Sequence, residues 1–287
     1  MSTTALPLRA VAARRPSALR LGLSRAAYEI RSYFRLGDTL FFTFLFPVVM
    51  LAIFSVAFSG AGLVGVNGQP DPVNGISMAH SYLPGMAAAG LLLSGVQNLA
   101  IDIAMEKGDG TLKRLAGTPL PVLSYFLGKF GQVLVTSLLQ LALLLAVARI
   151  LFGVPLPTAP EKWVTFAWVY LLGLGTSAVL GIALSGVPRS GKSASAVIIP
   201  IVLVLQFVSG VYVTFAALPD WLQNLASVFP LKWMAQGMRS VFLPDAFAAQ
   251  EQTGTWDLGT TALVLGVWLV AGLIACRFAF RWIRKDS

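Results

Sequence analysis

Cysteine and histidine are almost missing from this sequence: Cys276 and His80 are its only two. A single thiol closes no intrachain disulfide, and one thiol with one imidazole cannot build a Cys/His metal set. Charge is scarce too, at 11% of residues, where a soluble domain carries about a quarter. Short segments of alternating polarity, the mark of a membrane barrel, are not visible. The N-terminal region up to Asp38 lacks a continuous apolar core followed by a cleavage site, so the first apolar run is expected to stay uncleaved.

Long apolar runs are what the sequence has instead. Hydrophobic residues make up 56% of it, and stretches of roughly 20 recur, enough to cross a hydrocarbon core of about 30 Å as helices. A helix satisfies its own backbone polar groups in lipid, so the composition predicts an all-α integral membrane protein. Six transmembrane helices are expected at 39–59, 79–101, 122–152, 163–185, 194–215 and 258–278. The third is longer than a crossing needs and either tilts or runs its first turns along the surface.

The formal charge of +9 invites a nucleic-acid reading, which the distribution of that charge contradicts. Arg9, Arg14, Arg15, Arg20, Arg25, Arg31 and Arg35 precede the first apolar run, and Arg277, Arg281, Arg284 and Lys285 close the chain. Lys107, Lys113 and Arg114 fall in the second loop, and Arg189 and Lys192 in the fourth. The other side collects Asp71, Glu161, Asp220, Asp245, Glu251 and Asp257 against Lys162, Lys232 and Arg239, with Arg149 placed to snorkel outward. The positive-inside rule then puts both termini in the cytoplasm.

Residues 1–16 read as a disordered basic tail. Over 17–38, Leu19, Leu23, Ala27, Ile30 and Phe34 recur at helical spacing while Arg20, Arg31 and Arg35 fall off that stripe, which describes an amphipathic helix in the membrane interface. Prolines divide 217–254 into two short apolar helices. A re-entrant hairpin buried against protein fits them, and so does a pair lying flat and anchored by Trp221 and Trp233.

Gly186 to Ser193 spells the phosphate-loop pattern G-x-x-x-x-G-K-[ST], but apolar runs of membrane length flank it where a strand and a nucleotide-binding domain are required. It is read as a short inside turn. Catalysis is poorly supported, because Asp102 has no second carboxylate in a span core and His80 no partner. Asp102, Glu106 and Asp109 have magnesium-ligand chemistry, and are read as a solvated loop compensating Lys107, Lys113 and Arg114. No catalytic residue and no metal ligand is therefore assigned.

Polar residues inside spans are costly and so informative. Gln132, Thr136 and Gln140 share one face of the third span, with Gln97 and Asn98 on the second and Gln206 on the fifth. They either line a substrate path or bond helices together, at about 1–2 kcal/mol per bond or less. The candidate path comprises Phe42, Phe46, Gln97, Gln132, Thr136, Gln140 and Gln206. Small residues four apart, Gly85 with Ala89, Gly173 with Ser177 and Gly181 with Ser185, predict close helix contacts.

The second loop is more than a turn. Leu112, Leu115 and Ala116 form a small apolar face beside basic Lys113 and Arg114, with Thr111 able to cap the start and Gly117-Thr118-Pro119 to stop the helix. Such a helix suits a groove on a soluble partner. Its pattern E-K-G-x-x-T-L-x-R-L-x-x-T-P runs from Glu106 to Pro119, and Gly128-Lys129 follows it into the third span. Later come Ser209-Gly210-Val211-Tyr212-Val213, Leu218-Pro219-Asp220-Trp221-Leu222, Phe229-Pro230-Leu231 and Gly237-Met238-Arg239. Taken together these resemble the membrane subunit of type-2 ABC exporters, most of all bacterial drug-exporter permeases of the daunorubicin-resistance kind.

That resemblance implies a permease dimer, homomeric or heteromeric, in the bacterial plasma membrane, each subunit docked on a separate cytosolic ATPase that binds the ATP and magnesium. The helix within 106–118 would be the coupling helix, with Glu106, Lys107, Gly110, Thr111, Leu112, Arg114 and Leu115 facing the motor. The 17–38 helix would be the connecting helix, and 39–287 the six-span domain. A hydrophobic or amphipathic cargo, drug-like or lipid, is implied. Export of a polysaccharide or lipid-linked glycan by the same architecture is the alternative, followed by a lipid-modifying enzyme. Membrane lipids are expected partners and nucleic acid is not.

Overall fold

The computed structural model describes residues 17–58, 60 and 62–279. The expected basic tail and Arg281, Arg284 and Lys285 lie outside them. Almost all of the described chain is helical, and six helices are long and apolar enough to cross a membrane. This is a multi-pass membrane protein.

In chain order the helices are α1 (Ala18–Tyr33), α2 (Gly37–Ala57), α3 (Met78–Leu92), α4 (Leu99–Gly108), α5 (Thr111–Ala116), α6 (Val122–Phe152), α7 (Pro160–Leu184), α8 (Ala194–Val208), α9 (Asp220–Ala226), α10 (Pro230–Phe242) and α11 (Leu258–Ala279). Local chemistry sets many of the ends. Ser17 and Ser77 cap α1 and α3, accepting from the backbone N–H groups of Arg20 and His80. Proline stands at the first position of α7 and of α10, where its missing N–H costs nothing. Gly153 closes α6 at φ +64°, a left-handed conformation that glycine adopts without strain.

The second span differs from its sequence-based bounds. It does not stop at 101 but runs from Met78 to Gly108, α3 and α4 being joined by a π-helical segment at Leu93–Asn98. The charges of Asp102 and Glu106, read as the start of a solvated loop, lie within the helix because a base on α6 meets them. The fifth span ends at Val208 rather than 215, where Ser209 and left-handed Gly210 break the helix.

α3 is the central helix, buried almost throughout from Leu83 onward. Small side chains make this possible. A Cβ at Gly85 would lie 3.0 Å from the Val211 carbonyl oxygen, one at Gly90 would strike the Gln140 amide, and one at Gly181 would strike the Gly95 carbonyl. With no water to expel between helices in lipid, such close van der Waals packing carries much of the association. The third span is one continuous helix from Val122 to Phe152, and its first turns pack along α1. Gly22 sits against Leu127, Gly128 against Arg25, and Gly131 against Ala26.

α1 therefore turns Gly22, Glu29 and Tyr33 inward, and the predicted apolar stripe is its outer face, with Leu19, Leu23 and Phe34 exposed. In the stretch between spans five and six, α10 is a core helix, buried at every position except Arg239. α10 is thus enclosed by protein on nearly every side, as a hairpin buried against protein would be. Trp233 is buried and donates its indole N–H to the Ser227 carbonyl, whereas Trp221 on α9 is exposed. Polar clasps hold α10: His80 Nε2 lies 2.7 Å from the Phe242 carbonyl, Lys162 joins the Ser240 carbonyl to Asp245, and Arg239 forks onto Glu251.

Candidate functional site

Three features meet at one end of the bundle: a buried ion cluster, the short helix α5, and the mouth of a cavity. The second and fourth loops adjoin here, Gly108 packing on Gly191. Gly191 and Lys192 of the phosphate-loop look-alike lie in a single 3-10 turn before α8, held by a Ser190–Ser193 capping box, with an α-helix preceding it where a strand would be needed.

Lys129 is the centre of the cluster. Its ammonium is fully buried and engages Glu29 Oε2 of α1 at 3.0 Å, Glu106 Oε1 of α4 at 2.7 Å, and Asp102 Oδ2. Tyr125, one turn earlier on α6, donates its hydroxyl to Glu106 Oε2 at 2.6 Å. Arg25 pairs with Glu29 and lies 3.7 Å from Glu106, its guanidinium over the rings of Tyr28 and Tyr125. The three carboxylates stand close enough to hold a metal ion, but they converge on the Lys129 ammonium, which supplies that positive charge. Asp102 and Glu106 thus do not compensate Lys107, Lys113 and Arg114 as expected. Asp109 stands apart from them and accepts from the Thr111 backbone N–H at 2.8 Å; hydrogen bonds from Thr111 hold its carboxyl below the usual range.

That bond also corrects the expected start of α5. Thr111 does not cap the helix. Gly110 occupies the cap position at φ +80° and Asp109 supplies the acceptor, while Thr111 Oγ1 accepts from Arg114. Of the residues expected to face a motor, Lys107 and Arg114 are exposed, with Lys113 beside them. Glu106 points inward to the cluster, Leu112 is 3% exposed and packs in the chain's own core, and Leu115 is half-buried against that core. The apolar face of α5 is the side that glues it to the bundle, and its basic side is the free one.

A cavity of about 730 Å³ opens between α1, α2, α4 and α8. Phe42 and Phe46, Gln97, Gln132 and Gln206 line it together, so the fold gathers five of the seven candidate path residues on one surface. Thr136 and Gln140 are not among them. Thr136 bonds back to the Gln132 carbonyl, and Gln140 accepts from Ser94 in the contact between α6 and the central helix. The three-residue stripe splits because only its first member lies beyond the point where α3 covers α6.

Sequence reasoning named Asn98 only as a polar residue of the second span and did not single out Tyr33, Thr43 or Glu29, which help to build the site. Tyr33 donates to Thr43 Oγ1 at 2.8 Å and Asn98 Nδ2 to the same oxygen at 3.0 Å, tying α1, α2 and the π-helical segment at the cavity wall. π-helical insertions often mark functional positions, and here Gln97, Asn98, Ile101, Asp102 and Met105 form one lining face across it. Two signals were present: Lys129 is a charge inside an apolar span, and Glu29 is the only acidic residue before Asp38.

Comparison with known proteins agrees with this architecture. The chain is 24% identical over 252 residues to the inner membrane transport permease YadH of Escherichia coli K12, covering 87% of this chain and 90% of that one. It is 23% identical over 159 residues to the probable multidrug ABC transporter permease YbhR of the same strain, covering 55% of this chain and 42% of YbhR, so it matches less than half of that relative. The family model described as ABC-2 family transporter protein matches residues 72–276. With the greater part of the chain inside that match and six helices long and apolar enough to cross a membrane, the chain belongs to the ABC-2 family of transporter proteins.

Proposed function

We propose that this chain is the permease subunit of an ABC exporter, driven by a separate cytosolic ATPase that binds ATP and magnesium, and that its cargo is a hydrophobic or amphipathic compound, drug-like or lipid. The carrying observation is the cavity: about 730 Å³, within the range of drug-sized sites, its exposed surface mostly apolar through Phe42, Phe46, Ile199 and Leu203, with amides, hydroxyls and the carboxylates of Glu29 and Asp102 set among them. The multidrug description of YbhR agrees with this cargo class. A glycan chain would call for a more polar wall.

In this reading the end of the bundle that carries α5 is cytosolic, both termini with it, and the protein works as a dimer in the bacterial plasma membrane. The end of α4 offers Lys107 and α5 offers Lys113 and Arg114 to the ATPase, while Leu112 roots α5 in the bundle. Motion imposed on α5 passes through α4 to the Lys129 cluster, which joins α4 to α1 and α6. The outer stripe of α1, Leu19, Leu23 and Phe34, rests in the membrane interface.

The test is reconstitution with the partner ATPase and replacement of residues 111–116 by a Gly/Ser linker. Export should be lost while ATP hydrolysis by the motor persists uncoupled. Full export with the linker in place would remove α5 from the mechanism.

A further inference from the structure

The charge of the cavity wall is one-sided. Among the described residues none that lines it is Lys or Arg, yet Glu29 and Asp102 both line it. The Asp102 side chain is 49% exposed although Lys129 binds its Oδ2, and Lys129 itself is fully buried and lies outside the lining. Negative charge therefore forms part of the wall, and the balancing positive charge sits behind it. Among the described residues three carboxylates meet two bases in this cluster, Arg25 and Lys129, a formal excess of one negative charge. Away from this corner the wall carries no charge: Phe42, Phe46 and Leu203 alternate with the amides of Gln97, Gln132 and Gln206 and the hydroxyls of Thr39, Thr43 and Ser195.

We infer that the cavity selects amphiphilic organic monocations, Asp102 receiving the cationic group while Phe42 and Phe46 hold the apolar body. This rests on the cavity being the cargo site. Lys129 engages only Oδ2, which leaves Oδ1 as an acceptor on a half-exposed side chain. A cation there is attracted by the excess negative charge, and an anion of the same shape is repelled. Aromatic faces add attraction for the cation as well. The same carboxylate holds α4 to α6 through Lys129, so a bound cation competes with that ammonium and bears directly on the cluster next to α5.

Tetraphenylphosphonium and tetraphenylborate, nearly the same shape with opposite charge, separate the possibilities. Each is titrated by equilibrium dialysis against the permease with its ATPase in nanodiscs, with empty nanodiscs subtracted. Saturable binding of the phosphonium is expected to be about tenfold or more tighter than that of the borate, equivalent to one free-energy step of 1.4 kcal/mol. Asp102→Asn should bring the two ions to within about threefold of each other, and Asp102→Glu should restore the preference. Ser195→Lys, which puts an ammonium on the α8 wall and leaves the cluster intact, should weaken the phosphonium and not the borate. Gln206→Ala should affect both ions alike.

A borate that binds as tightly as the phosphonium, or a preference unmoved by both Asp102→Asn and Ser195→Lys, overturns the charge selection and leaves the cavity as cargo site. Saturable binding of neither ion, with no effect of Phe42→Ala on export, overturns the cavity reading itself.

Discussion

Lys129 Nζ on α6 lies 2.7 Å from Glu106 Oε1 in the last turn of α4. A charge inside an apolar span is thereby joined to the helix that leads into α5. Lys129→Met would leave Glu29, Asp102 and Glu106 facing one another with Arg25 as the only nearby base among the described residues. The expected cost is about 3 kcal/mol or more, read as a lowered unfolding midpoint in detergent. Adding Glu106→Gln to Lys129→Met removes one of the orphaned charges and should recover part of that loss. A double variant no more stable than Lys129→Met alone would show that the two groups are not coupled.

The two sides of α5 should separate on mutation. Leu112→Ala empties a buried position and is expected to destabilise by about 2 kcal/mol or more. Lys113→Glu with Arg114→Glu changes exposed groups, so the unfolding midpoint should move by the equivalent of about 0.5 kcal/mol or less. The same charge reversal should abolish co-purification of the ATPase. Retained capture would place the motor contact elsewhere.

Gln140 and Gln206 look alike in sequence and occupy different places. Gln140→Leu removes the acceptor of the buried Ser94 hydroxyl and should lower stability by about 1–3 kcal/mol without changing which compounds are exported. Gln206→Leu acts on the cavity wall, where Gln206 also accepts from Tyr212, and should alter export selectivity. Transport assays over a panel of compounds distinguish the two, and a selectivity change in Gln140→Leu would count against the assignment of Gln140 to packing.

Gly181 abuts the Gly95 carbonyl in the π-helical segment, so a methyl group there has no room. Gly181→Ala is expected to cost about 1–3 kcal/mol through displacement of α7 from the central helix. The unfolding midpoint measures it. Gly259→Ala, on α11 with open space around it, is the neutral control.

Lys232 on α10 is buried beside the Trp233 ring, its ammonium 2.5 Å from Gln236 Oε1, and burial pushes its pKa down to about 8. A base whose folded pKa lies below its unfolded value binds fewer protons when folded. Stability therefore rises with pH between about 8 and the ordinary lysine range near 10.4, and is flat with respect to this group below that window. The gain across the window should be about 1–3 kcal/mol. Lys232→Met should abolish this rise, as seen in unfolding midpoints measured from pH 7 to 10.

How much of this was legible beforehand differs by level. Apolar run length located all six spans, and the scarcity of Cys and His turned attention away from thiol and imidazole chemistry. Those are properties of the chain alone, because a span of lipid demands about 20 apolar residues wherever the helix later packs. The short helix between spans two and three was likewise readable from its punctuation, although the identity of its cap was not.

Which face each helix turns inward was decided only by the fold. α1 buries Gly22, Glu29 and Tyr33 rather than its apolar stripe, because glycines on α1 and α6 permit a close approach and Lys129 attracts Glu29. In a lipid-facing protein apolar residues are at home on both sides of a helix, so hydrophobic periodicity loses its power to name the buried face. The sequence by itself determined a six-span transporter with a basic helix exposed at one end. Tertiary packing decided that Gln132 lines the cavity while Gln140 braces α3, and that Lys129 gathers three carboxylates drawn from two other helices. Those outcomes depend on distances between segments far apart in the chain, and no local pattern encodes them.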